Sequence, residues 1–237
     1  MLTQNHAELT LEVAKHLEAD ALIKGAYWRR GKGCFIGCLT HSDNPKTAVD
    51  RFGLPQPLLR IAEDIFEALP EDEGKAFFAA LPDAVERDGK DLSRVHWQFL
   101  AAELRALPKV KGDVQAVIDP VIEGMDLLSK GQEWQEAHAY AVHAAHYAAA
   151  CWTCWPMRSK AARAALSTAS DAASAAHYAA SDAASAAHYG AYAARAASAD
   201  AARAASADAA RAASAAVRIR QRDTLISLIS SAPMGSQ

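Results

Sequence analysis

With 237 residues the chain is long enough to bury a sizeable core, in one large domain or two small ones. Four cysteines are too few for a disulfide scaffold, and no run of about 18 strongly apolar residues exists to cross a membrane. The formal charge of −3 is split unevenly: Arg158 onward holds nine Lys/Arg against five Asp and no Glu, a balance of +4 that leaves the first 157 residues at −7. This is far from the dense basic stripe of a nucleic-acid binder.

The opening "MLTQNHAELTLEVAKHLEAD" carries Glu and Lys through an apolar helical periodicity, so it is not a signal peptide and the expected location is the cytoplasm. Leu9, Val13, Leu17 and Ala21 recur at helical spacing, and Lys24–Gly25 reads as the helix end. Next comes "YWRRGKGCFIGCLTH", Tyr27 to His41, in which Gly31, Gly33 and Gly37 permit close backbone approach and a helix begins near Cys34. Pro57 fits the first turn of a helix whose apolar face is Leu58, Ile61, Ala62, Ile65, Phe66 and Leu69, stopped by Pro70. "EDEGKAFFAALPDAV" gives one more short helix. "DLSRVHWQFLAAELRALP" gives a longer one with Leu92, Val95, Phe99, Leu100 and Leu104 inward, stopped by Pro108. "GDVQAVIDPVIEGMDLLSKG" is another, kinked or split by Pro120. No sustained two-residue alternation marks a strand. The expected fold class is all-α, with a compact helical body over residues 1–130.

Residues 131–237 read as an alanine-rich helical region. Of the 59 residues from Arg158 to Ala216, 32 are alanine, the best helix former because its side chain loses no rotamer freedom. A single helix from Ser159 to Ser230 would be roughly 110 Å long. A small body more readily carries a folded-back hairpin or bundle, and Gly190 is the cheapest place to bend. "SDAASAAHYAASDAASAAHYG", Ser170 to Gly190, repeats an eleven-residue phrase, almost three helical turns. On an ideal helix Asp171, Tyr178, Asp182 and Tyr189 fall within about 20° of one line, while His177, His188 and Arg195 share a second line about 110° away. The opposite side is alanine alone, thin enough for close helix approach and suited to a homo-oligomer as well as to folding back. The two rows are either a solvated face or an interaction surface of low-entropy rings. Ice binding lacks the threonine that such repeats use. Val217, Ile219, Leu225, Ile226, Leu228 and Ile229 then restore an apolar face, read as a clasp onto the body.

The densest chemistry lies at Tyr27, Trp28, Arg29, Arg30, Lys32, Gly33 and Cys34. Backbone N–H groups at a helix start beside cations suit a small anionic, nucleotide-like ligand, with Tyr27 or Trp28 stacking on a base. Packing of helices through small residues is the competing reading, and the glycines match neither a P-loop nor a dinucleotide fingerprint. A second alternative is an enzyme in which Cys34, its pKa lowered by the cations, is a nucleophile with His41 or His96 as base. A third is a structural zinc site closed by Cys34, Cys38, Cys151 and Cys154. His138, His143 and His146 offer a weaker cluster, without an acidic third ligand. No motif requires a cofactor. An organised helix face without a convincing acid/base or nucleophile constellation favours a protein that works by binding.

The succession "RGKGCFIGCLTHSDNP", "FGLPQPLLRIAEDIFEALPED", "DLSRVHWQFL" and an alanine-rich end closing on "RQRDTLISLI" resembles a group of uncharacterised alanine-rich phage- and prophage-associated proteins with a GKGC-x2-GC-x2-H loop. The likeness spans most of the chain and is specific in the Gly33–His41 and Leu54–Pro70 stretches. It implies a phage accessory protein in the cytoplasm of a bacterial host. Accessory proteins of that kind often inhibit host defences or regulators, so a host protein is the partner implied. No catalytic residue carries over.

Overall fold

A computed structural model describes residues 1–107, 113–133 and 207–235, and among these the chain is mainly helical. The rows built on Asp171, His177, Tyr178, Asp182, His188, Tyr189 and Arg195, the bend at Gly190, the cysteines Cys151 and Cys154 and the histidines His138, His143 and His146 all lie outside the described residues. No described helix is long and apolar enough to cross a membrane. The chain divides into two units, one of Met1–Val95 with Arg218–Gln237 and the other of His96–Val217.

In the first unit α1 (His6–Glu18) buries Leu9, Glu12, Val13 and His16, the i, i+3, i+4, i+7 positions of one helical face. The helix ends at Glu18 instead of running to Lys24–Gly25. Asp20 is left-handed at φ 45°, and the chain turns extended so that Ala21 and Ile23 exchange backbone hydrogen bonds with Gly33 (2.9 and 2.8 Å). Two very short strands, β1 (Trp28–Arg29) and β2 (Lys32–Gly33), pair antiparallel around Arg30 and Gly31, both at positive φ. Strands of two residues are too short to show alternation, which is why the sequence reads as helical throughout.

Helix α2 (Phe35–Thr40) follows directly, with Cys34 as its N-cap residue, and is buried on every side. A helix apolar all round belongs in the centre of a core, and α2 packs against α1, α3 (Lys46–Phe52) and α4 (Gln56–Ala68). Gly37 explains how close the neighbours come: a Cβ there would stand 1.3 Å from the Tyr27 carbonyl oxygen, and one at Gly33 would stand 2.2 Å from the same atom. Helix α4 starts with Pro57 in its first turn and buries Leu58, Ile61, Ala62, Ile65 and Phe66 as expected, with Leu69 at its C-cap. Pro70 caps the next helix, α5 (Glu71–Val85), whose interior Pro82 does not interrupt it. Phe35 of α2 meets Phe77 and Phe78 of α5 at ring-centroid distances of 5.1 and 5.3 Å, and Phe66 of α4 at 6.1 Å. These edge and tilted contacts form the aromatic centre of the unit.

The C-terminal segment closes this unit. Helix α8 (Ala207–Ser230) buries Leu225 and Ile229. Its Arg218 donates to Asp64 of α4 at 3.0 Å, both side chains about 95% shielded from solvent, and to Gln221 at 3.0 Å. Lys90 is also buried, and its ammonium donates to the Ala84 and Ser230 carbonyls (3.1 and 2.7 Å), groups that α5 and α8 leave open at their C-termini. Beyond α8, Asp91 and Gly235 donate to the Pro233 and Gly89 carbonyls (2.8 Å each), while Thr3 donates to the Lys90 carbonyl (2.8 Å). Both described ends of the chain are therefore tied to one short segment.

The second unit contains α6 (Val95–Ala106), which starts at its boundary, and α7 (Asp113–Ser129). Phe99, Leu100 and Leu104 are buried as the spacing predicts. Pro120 lies inside α7 without splitting it. An ion pair between Arg105 and Asp126 joins the two helices.

Candidate functional site

The glycine–cysteine stretch folds as a hairpin laid across α2. Tyr27, Arg29, Arg30 and Lys32 are exposed, Trp28 is half-buried, and Gly33 and Cys34 are buried. The seven loop residues singled out from the sequence are thus contiguous, with their cations facing solvent. Arg60 of α4 supports Tyr27 by donating to its hydroxyl at 2.8 Å. Lys32 donates to the Asp20 carbonyl at 3.1 Å.

The helix start at Cys34 has an anion of its own. The Ile36 N–H donates to Oε2 of Glu63 at 2.7 Å inside the core. Burial pushes the Glu63 carboxyl up to about 7, with Glu67 adding to the rise, against the lowering effect of Cys34, the Ile36 N–H and Arg60. The same surroundings reverse the expectation for Cys34: burial first, then Glu63, raises its thiol instead of lowering it. Cys38 is likewise pushed up to about 12 by burial. Both are free, buried thiols, protonated at neutral pH and so poor nucleophiles. Cys34, Glu63 and Glu67 bring potential ligand atoms together, but Glu63 caps Ile36 and both Glu67 oxygens accept from the Gly25 N–H (3.0 and 2.9 Å). That group serves the backbone. His96, the other base considered for Cys34, belongs to the second unit, where full burial pushes it down to about 3.

Glu63 yields a test of this description. A carboxyl raised in the folded state stabilises the fold fully below its unfolded pKa and loses that contribution as pH rises through 7. Glu63→Gln keeps an oxygen for the Ile36 N–H and removes the charge. The variant is expected to match the wild type near pH 4 and to exceed it by about 3 kcal/mol at pH 8. Parallel urea titrations at the two pH values check this, and equal differences at both would refute it.

The more elaborate arrangement adjoins Trp28. His41, the left-handed C-cap of α2 at φ 54°, donates its N–H to the Gly37 carbonyl at 2.7 Å and lays its ring on Trp28, centroids 4.5 Å apart and planes 24° from parallel. His16 meets the same indole edge-on at 5.5 Å. Nε2 of His16 and Nε2 of His41 are 2.9 Å apart, and Oε1 of Glu12 lies 3.0 and 2.9 Å from them respectively. The other oxygen of Glu12, Oε2, accepts from Arg51 at 2.8 Å, and Arg51 also pairs with Glu8. Burial raises the Glu12 carboxyl, but the Arg51 hydrogen bond and charge, helped by His41 and Lys15, outweigh it and hold Glu12 below the usual range. Burial lowers His16, and His41 and Lys15 lower it further against the pull of Glu12.

Sequence reasoning singled out His41 only as a partner for Cys34, and missed Glu12 and His16 altogether. A signal was present. Both occupy the inward stripe of α1 beside Leu9 and Val13, where a charged residue and an imidazole have no ordinary reason to be. Comparison of the chain with protein-family models, curated proteins and solved structures finds no match.

Proposed function

We propose that this chain acts by binding an acidic surface of a host protein through the Tyr27–Lys32 hairpin, without catalysing a reaction. The observation that carries the reading is the projection of Arg29, Arg30 and Lys32 into solvent from a turn whose base is clamped on Gly37. A convex cationic tip suits the face of another macromolecule, whereas small ligands are held in concave pockets. Glu63 already takes the Ile36 N–H, one of the donors that a small anion at this helix start would use. Exposed Tyr27, held by Arg60, adds the kind of rigid aromatic anchor on which interfaces concentrate their energy. The first 157 residues, at −7, would repel nucleic acid as a whole, and three local cations steer toward a small acidic patch.

The resemblance to phage-associated proteins supports a host partner in the bacterial cytoplasm, and inhibition of a defence or regulatory protein is the role in keeping with it. The triple charge reversal Arg29→Glu, Arg30→Glu, Lys32→Glu tests the proposal. Immobilised wild-type chain is expected to retain a host protein in a salt-sensitive way, and the triple variant to retain at least tenfold less of it. Because the three side chains are exposed, unfolding stability should change by less than about 0.5 kcal/mol per site. Retention that ignores the reversal would remove the hairpin from the interface.

A further inference from the structure

Two imidazole nitrogens and one carboxylate oxygen meet in a triangle with edges of 2.9, 2.9 and 3.0 Å. Protons on the two rings alone cannot satisfy it. An imidazole Nε2 carries either a proton or a lone pair in the ring plane, never both, so beside a Glu12 carboxylate no placement of protons on the two nitrogens makes all three edges hydrogen bonds. If both nitrogens are protonated, two N–H groups confront each other across 2.9 Å; if either is bare, two lone pairs do. A single cation above the triangle resolves the conflict by accepting all three lone pairs.

The spacing also suits an ion. Ligands about 2.1 Å from a common centre and 90° apart are separated by about 3.0 Å, while a tetrahedral angle would spread them to about 3.4 Å. The donors therefore match three adjacent positions of an octahedron. Their surroundings fix them as metal ligands are usually fixed: Arg51 holds the second oxygen of Glu12, and Trp28 holds the plane of His41. One side is open, since the His41 side chain is 38% exposed while His16 is only 4% exposed.

We propose that Glu12, through Oε1, and His16 and His41, through Nε2, hold a divalent first-row transition-metal ion with its remaining positions facing solvent. Two imidazoles with one carboxylate favour zinc, iron, cobalt or nickel over calcium and magnesium, which prefer all-oxygen sets, and over copper(I), which prefers sulfur. The open positions would accept water or a donor group from a bound partner. This site does not depend on the hairpin's role, since Arg29, Arg30 and Lys32 supply none of its ligands.

The full chain, stripped with a chelator, is titrated with Zn²⁺ by calorimetry and with Co²⁺ by absorption. His41→Asn is the decisive variant, because asparagine tolerates the left-handed backbone at that position and the half-exposed side chain leaves the core intact. The wild type is expected to bind one Zn²⁺ that His41→Asn binds at least tenfold more weakly. Co²⁺ should give the weak bands of a six-coordinate ion in the wild type, lost in the variant. Glu12→Gln, which keeps size and shape, should weaken Zn²⁺ by a similar factor. A wild type that takes up no Zn²⁺ would overturn the site. So would a His41→Asn protein with the same affinity and the same Co²⁺ spectrum, thiolate charge-transfer absorption included.

Discussion

Gly37→Ala is expected to cost about 3 kcal/mol and to unseat the hairpin from α2. The new methyl would be placed 1.3 Å from the Tyr27 carbonyl oxygen and 2.4 Å from its carbon, and neither belongs to a side chain that can swing away. Overpacking against movable side chains costs about 1–3 kcal/mol, and a backbone obstacle puts this case at the top of that range or above it. The structural damage should be local: the Trp28–His41 stack depends on the hairpin's seat, while the Phe35, Phe66, Phe77 and Phe78 cluster lies on another side of α2. Denaturant unfolding measures the loss, and near-ultraviolet circular dichroism reports the indole. A loss below about 1 kcal/mol would mean that the hairpin is not seated on Gly37.

Arg218→Ala is expected to be at least as damaging, at about 3–5 kcal/mol. The substitution strips Asp64 of this cation in the core and takes from Gln221 the guanidinium it accepts from. Since the substitution weakens the ion pairing of a carboxylate in the core, replacing that carboxylate by an apolar side chain as well should restore much of the loss. The double variant Arg218→Met, Asp64→Leu is therefore expected to be more stable than Arg218→Ala alone. Equilibrium unfolding of the three proteins at the same pH decides the matter. A double variant worse than the single one would show that the pair is worth more than its desolvation.

Much of the first unit was legible because prolines and glycines punctuate it. Pro57 and Pro70 frame α4, whose inward face was read residue by residue, and Gly33 and Gly37 announced a close approach that the Tyr27 carbonyl makes. What escaped had physical causes. The end of α1 was placed too late because Ala21, although at helical spacing, is buried by pairing with Gly33 in an extended conformation. The hairpin left no alternation to see. The Cys34 thiol was assigned the wrong sign because the nearby cations are adjacent in sequence but point into water, while Glu63, 29 residues away, lies beside it. Glu12 and His16 were overlooked because an amphipathic pattern is sought in its apolar members, and here the polar ones hold the chemistry. His41 completes the triangle from another helix, a long-range meeting that periodicity cannot foretell.

The pairing of Asp64 with Arg218 also has a temporal side. The two partners stand 154 positions apart, so the N-terminal layers emerge from the ribosome long before the helix that seals them. At about 5–20 residues per second, synthesis leaves an interval of roughly 8–30 seconds in which Leu225 and Ile229 do not yet exist and their berth is bare. A nascent chain in that interval is a natural client for chaperones that shelter greasy surfaces. Truncation anywhere before Arg218 should yield an aggregating fragment in place of a smaller, self-sufficient protein.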